Sequence, residues 1–297
     1  MLTQKIIGPN FVMKKNIIEN KVNIIANKVA VFTNARNECH IKEWAAHHIL
    51  IGFDHIIIFD HKSNTPIERD FVNFDKKVKV INVSHMENPV KITLMNDAIQ
   101  ISKKLNIDWF IYLDSDEFII LHKKFKGVKD FLNLYNQADS LGVNWLMFGS
   151  NYLTKEPDGL ILESYTRSEL CLNNHVKSFV RPNKIINSVN PHYYNMINPN
   201  RCFDTNNNIM KDNYAMNNNT IEYFNSSAYI AHYVYQSEES FKNRKILLPR
   251  DDNGLFRNEN INNVSYIHKY YNNIENNSPK NKYANKIKEF LSKYNNS

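Results

Sequence analysis

Glycine is scarce in this chain, with 7 residues in 297. Phosphate-cradling loops of the G-x-x-x-x-G-K-S/T or G-x-G-x-x-G kind need several glycines in one turn, so that backbone amides can close on the phosphate. No such cluster occurs, and the first polar stretch after an apolar run reads TNARNE at 33–38. Cysteine is equally sparse. Cys39, Cys171 and Cys202 show no C-x-x-C spacing, which leaves no zinc pattern or disulfide framework and points to a reducing compartment. The N-terminal text MLTQKIIGPNFVMKKN lacks the apolar core of a signal peptide. No run approaches the ~18 apolar residues that a transmembrane helix needs. The expectation is a soluble chain of the cytoplasm, its own cell's or a host's. Charge is not blocked either: 37 Lys and Arg oppose 30 Asp and Glu, and the excess of +7 is scattered. Scattered basic residues argue against a nucleic-acid partner and fit phosphate-rich ligands or an acidic surface.

What is present is an ordinary globular composition, 42% hydrophobic, long enough for a large core. Residues 29–33 (VAVFT) read as a first strand, 38–50 as a helix ended by Gly52, and 55–59 (HIIIF) as a fully buried strand. A third strand over 78–83, a helix over 91–105 and a fourth strand over 109–113 continue the alternation. That alternation predicts an α/β fold with a mostly parallel sheet covered by helices on both faces. Further on, the pattern predicts a helix over 128–138 and a strand over 142–148. Short strands follow over 160–163 and 184–188, then a loop over a cleft at 203–220, a strand over 229–235 and a helix over 238–247. Residues 1–28 read as an N-terminal extension. Residues 251–297 read as an Asn-rich segment, irregular to 279 and closed by an amphipathic helix over 280–294.

The most informative stretch is IDWFIYLDSDEFIIL at 107–121, where two aspartates break a buried apolar run. Carboxylates are rarely placed between buried strands without a partner, because an unpaired buried charge is very costly. A divalent cation bridging a phosphorylated ligand is one such partner. In parallel α/β sheets, ligands sit at the carboxyl ends of strands. That rule gathers residues 34–38, Asp60 and Asp114-Ser115-Asp116 into one crevice, whose oxygen ligands suit Mg²⁺ or Mn²⁺.

The block RNECHIKEWAAHHILIGFDHIIIFDHKSNTP at 36–66 is followed in order by DWFIYLDSDEF at 108–118, NWLMFGSN at 144–151, HVKSFVRP at 175–182 and AHYVYQSEESF at 231–241. The ordered set resembles GT-A-fold glycosyltransferases of the family 2 and family 92 type, over roughly residues 29–248. The resemblance implies a single GT-A-like domain at 29–250, with a nucleotide-sugar half (29–125) and an acceptor half (126–250). It further implies transfer of a hexose from a nucleotide sugar, UDP-linked, to a hydroxyl of a glycan or glycosylated protein. By the same resemblance, Asp114, Asp116 and His232 hold the metal. Thr33, Arg36 and Asp60 line the nucleotide with Asp114, and Lys177 and Arg181 hold the diphosphate. An inverting reaction also needs a carboxylate base, for which Glu163, Glu169 and Asp252 are unranked candidates.

Plainer roles stand beside these. Asp114 and Asp116 can cap a turn, Asp60 can be a strand-end turn residue, and His232 a satisfied core histidine. Lys177 and Arg181 can be solvated surface charges, and Trp145 core or a sugar-stacking face. Two other classes compete with a transferase. One is a metal-dependent nucleotidyl- or phosphotransferase, for which no Gly-rich phosphate loop is present. The other is a non-catalytic carbohydrate-binding or interaction protein retaining the fold.

Overall fold

The computed structural model describes residues 28–210 and 218–294. The expected N-terminal extension lies almost wholly outside the described residues. Apolar runs form the first strands, with both faces buried in the first two and the third half-exposed at the sheet edge. They are β1 (Val29–Ala35), followed by helix α1 (Ile41–Leu50), then β2 (His55–Asp60) and β3 (Val78–Asn82). Helix α2 (Lys91–Lys104) leads into β4 (Trp109–Tyr112). These four strands lie side by side in the order β3-β2-β1-β4, all parallel. Alternate side chains serve opposite faces. Val29, Val31, Ile56, Ile58, Trp109 and Ile111 pack in one core with Trp44 of α1. Ala30, Phe32, Ile57, Phe59 and Phe110 pack in a second core with Leu94 and Ala98 of α2. Gly52, at φ 102°, supplies the left-handed turn that ends α1.

The LDSDEF stretch makes the corner between β4 and β5 (Glu117–Leu121). Helix α3 (Val128–Leu132) precedes β6 (Ser140–Met147). After a helical turn, α4 (Ile161–Ser164), come β7 (Arg167–Ser168), β8 (Val176–Val180), the hairpin β9 (Ile185–Asn190) and β10 (Tyr193–Met196), and β11 (Cys202–Asp204). The chain then runs through β12 (Ala228–His232), α5 (Glu238–Phe241), β13 (Ile274–Glu275) and α6 (Asn285–Ser292). The main sheet extends as β4-β8-β6-β12-β5, with β11 beside β6. It is mixed in direction, because β8 runs antiparallel to both β4 and β6, and β12 to β5. The α/β sheet with helices on both faces is as expected. No helix among the described residues is long and apolar enough to cross a membrane.

Two local expectations need correction. Residues 161–164 form a helical turn rather than a strand, because the buried Glu43 carboxylate accepts the Ile161 and Leu162 amides at 2.7 and 3.1 Å. That cap comes from 118 residues away and overrides the local apolar pattern. The stretch 203–220 does not cover the cleft in its described part. It opens in β11, which pairs with the Ser140 end of β6, whereas His232 pairs with Met147 at the other end. Residues 211–217 lie outside the described residues.

Candidate active site

The carboxyl ends of β1, β4 and β12 open on one cavity of about 380 Å³. Asp114 and Asp116 reach it because β4 ends at Tyr112 and the chain must turn before β5 begins. The Glu117 carboxylate folds back to accept the Asp114 amide at 2.8 Å, which fixes that turn. Asp114 pairs with Lys91 and, at 3.4 Å, with Lys177. Asp116 is 1% exposed. Its Oδ2 receives Arg244 at 2.9 Å and Lys245 at 2.8 Å, and its Oδ1 lies 3.7 Å from His232 Nε2. Arg244 also meets Glu38 at 3.1 Å, and Lys91 meets Asp251 at 3.2 Å.

The electrostatics follow from this geometry. Burial pushes the Asp114 carboxyl up, but Lys177, Lys91 and Lys245 outweigh it and hold the group well below the carboxylate range. Burial likewise opposes ionisation of Asp116 and is overcome by Lys245 and Arg244. Glu117 goes the other way. Its burial, opposed by Lys177 and reinforced by Asp114 and Asp116, raises it to about 8. Burial lowers His232 to about 4, so the imidazole is neutral at pH 7. With Glu117 protonated, four carboxylates (Glu38, Asp114, Asp116, Asp251) face four cations (Lys91, Lys177, Arg244, Lys245). Within this paired cluster the charges balance; Arg36, Arg250, Asp252 and Arg257 line the cavity around it.

The residues present fit a divalent cation. Ligand atoms of Asp114, Glu117 and His232 lie within 4.8 Å of one another. Asp116 Oδ1, Glu117 Oε1 and His232 Nδ1 are buried without a hydrogen-bond partner. Unpaired buried acceptors are costly, and a cation would satisfy them. The converging set includes Glu117, which the sequence reading had not named as a ligand. Asp116 faces Arg244, Lys245 and His232, with its Oδ1 open beside that set.

A scan of known families matches the glycosyltransferase family 92 model over residues 31–289. The chain belongs to glycosyltransferase family 92. No curated protein is significantly similar to it. Among solved structures, S. aureus TarS 1–349 in complex with UDP is 18% identical over 52% of this chain and 47% of TarS, with a TM-score of 0.31. A cytidylyltransferase from Leptospira borgpetersenii is 14% identical over 39% of this chain and 53% of the other, with a TM-score of 0.25. Both likenesses are distant, and each match spans about half of the other chain.

The other expected site residues of this family 92 chain divide cleanly. Arg36, Lys177 and Asp252 line the cavity with Asp114, Asp116 and His232. Thr33 is fully buried in β1 and bonds the Asn34 carbonyl. Both Asp60 oxygens are taken by the Ser63 and Ile67 amides, so it organises the turn after β2. Arg181 lies outside the cavity wall, stacked 4.2 Å over Trp109 and bonded to the Ala138 carbonyl. Glu163 pairs with Lys288, and Glu169 accepts from Asn273, both away from the cavity. Trp145 lines the cavity beside His192 and His232.

Lys91, Arg244, Lys245 and Asp251 were missed. Lys91 carried a readable signal: a lysine in the first turn of a helix opposes the helix dipole, and that turn has no acid to offset it. Arg244 and Lys245 lie just past the last quoted block and carried none.

Proposed function

We propose that this chain transfers a hexose from a nucleotide sugar, UDP-linked, to a hydroxyl of a glycan or glycosylated protein, with Mn²⁺ or Mg²⁺ at the diphosphate. The supporting observation is the charge-balanced cluster at the end of β4. A cation entering alone would meet Lys91, Lys177, Arg244 and Lys245, and an anion alone would meet the carboxylates. A metal and a diphosphate entering together satisfy both sets. Asp114, Glu117 and His232 would hold the metal, which supplies neutralising charge to the departing nucleoside diphosphate. Glu117 would release its proton on ligation. Lys91, Lys177 and Lys245 turn from their carboxylates toward the phosphate oxygens, where donors act most strongly as charge builds on the leaving group. Arg36 and Asn34, which line the cavity at the end of β1, would contact the nucleoside. Of the three candidate bases only Asp252 lines the cavity. Its two-pronged pairing with Arg250 outweighs burial and keeps it ionised, and it would have to turn from Arg250 to take the acceptor's proton.

Thermal-shift measurements with UDP, GDP and CDP, each with and without Mn²⁺, test the reading. Stabilisation by UDP that requires Mn²⁺, and vanishes in Asp114→Ala, is the expected result. Equal melting under all conditions overturns it. A donor-hydrolysis panel then identifies the sugar.

A further inference from the structure

The FGSN portion of the 144–151 block has no part in the cluster just described, yet it is tightly fitted. A Cβ on Gly149 would lie 2.4 Å from Asn272 Oδ1 and 2.7 Å from the Tyr271 carbonyl oxygen, so only glycine lets this segment approach so closely. Asn272 is buried. Its Oδ1 accepts the Asn151 amide at 3.0 Å, and its Nδ2 donates to the His268 and Tyr270 carbonyls at 3.1 Å. Ser150 adds a 2.6 Å bond to His268 Nδ1. The turn at 268–272 is thus fastened to the end of β6 at several points.

What this fastening holds is an aromatic residue in a backbone state it would not choose. Tyr271 has φ 62°, the left-handed region that bulky side chains avoid. Such conformations persist only where surrounding contacts over-determine them, and they concentrate at ligand sites. The Tyr271 ring lines the cavity and stacks on Tyr235 with centroids 5.5 Å apart and planes at 17°. Tyr235 is braced by the edge of Phe241 at 5.3 Å. Arg257 lines the same cavity. Its Nε is buried without a hydrogen-bond partner, and it makes no ion pair among the described residues. This wall follows β12, which is separated in the sheet from β1 by β4, β8 and β6.

We propose that Tyr271, backed by Tyr235 and flanked by Arg257, is the acceptor subsite, on which a pyranose ring of the acceptor glycan stacks. The proposal deepens the transferase reading and rests on it for the word acceptor. The chemistry suits a sugar: a rigid aromatic face meets the C–H face of a pyranose, and a forked guanidinium donates to its hydroxyls. Two tyrosines stacked in advance lose little freedom on binding. Arg257 is free to donate because no carboxylate among the described residues already holds it.

Saturation-transfer NMR with methyl β-D-glucopyranoside, methyl β-D-galactopyranoside, methyl α-D-mannopyranoside and methyl N-acetyl-β-D-glucosaminide tests the platform without catalysis. Wild type is expected to transfer saturation to the ring C–H protons of at least one glycoside. Tyr271→Ala should lose that signal, Tyr271→Phe should keep it, and Arg257→Gln should weaken it. Unchanged melting temperatures in Tyr271→Phe and Arg257→Gln guard against misfolding. Signal from none of the four glycosides, or full signal in Tyr271→Ala, overturns the proposal. The UDP and Mn²⁺ thermal shift, run on the same samples, reports separately on the donor reading. If that shift is absent in wild type while the glycoside signal depends on Tyr271, the donor reading fails and the sugar platform stands.

Discussion

Replacing Asp116 by Asn removes one negative charge without changing shape, and the surroundings set the cost. The carboxylate is 1% exposed and one of its oxygens receives both Arg244 and Lys245. Removing one member of a buried ion pair costs about 3–5 kcal/mol, because the partner is left uncompensated. Two features move this case to the low end. Arg244 keeps Glu38 at 3.1 Å, and Lys245, 21% exposed, can turn toward water. Relief of repulsion among carboxylates works against a cost, but here it is small. Glu117 is protonated and Asp114 already has two lysines. We expect a loss of about 3 kcal/mol in the ligand-free protein. At about 2–4 °C per kcal/mol that lowers the melting temperature by about 6–12 °C. Denaturant unfolding and calorimetry measure it. Lys245→Met should cost much less, since Asp116 retains Arg244, and the double variant should recover part of the Asp116→Asn loss. A variant as stable as wild type, or more stable, would refute the charge balance, showing a cluster dominated by carboxylate repulsion.

Three further outcomes follow from the same geometry. Burial raises Glu43 to about 7 from its ordinary 4.5, so the folded protein holds a proton there that the unfolded chain releases. That stabilisation, about 3 kcal/mol, is fully present below pH 4.5 and lost as pH rises through about 7. Denaturation series from pH 5 to 8 should therefore show a slope that Glu43→Gln flattens; an unchanged slope places the titration elsewhere. Asp252→Asn should lower the transfer rate by about 10²–10⁴-fold while leaving the nucleotide and metal thermal shift intact. Glu163→Gln and Glu169→Gln should turn over at about the wild-type rate, and a large loss in either would move the base out of the cavity. Gly149→Ala must displace the Asn272 turn, which should cost about 1–3 kcal/mol in urea unfolding and leave the UDP and Mn²⁺ shift in place.

The fold was legible where burial alone decides it. HIIIF and DWFIYL are apolar on both faces because each strand serves two cores, and that pattern survives without knowledge of neighbours. It was illegible where a distant group decides. Ile161–Ser164 reads as apolar and extended, and becomes a helical turn only because Glu43 caps it across the chain. The same division runs through the site. Asp114 and Asp116 could be read because carboxylates interrupt a buried apolar run, whereas His232 came only through the resemblance. Glu163 and Glu169 misled because an acid in a plausible segment looks the same whether it faces a cavity or pairs with Lys288 or Asn273. The cations were hidden for a different reason: lysine and arginine are ordinary surface residues, and only three-dimensional placement shows four of them balancing four carboxylates. On the proposed reading, that pairing gives the motif at 114–117 a role beyond anchoring a metal. On that reading, Asp114 and Asp116 are held by cations that a phosphate could draw away, so Asp114 would be freed for the metal as the lysines are taken by the diphosphate. Metal and nucleotide should therefore each raise the other's affinity, a coupling that has to be equal in both directions. Titrating Mn²⁺ at fixed UDP, and UDP at fixed Mn²⁺, should return the same factor. Independent binding of the two would mean that the cations of Lys91, Lys177 and Lys245 stay on their carboxylates.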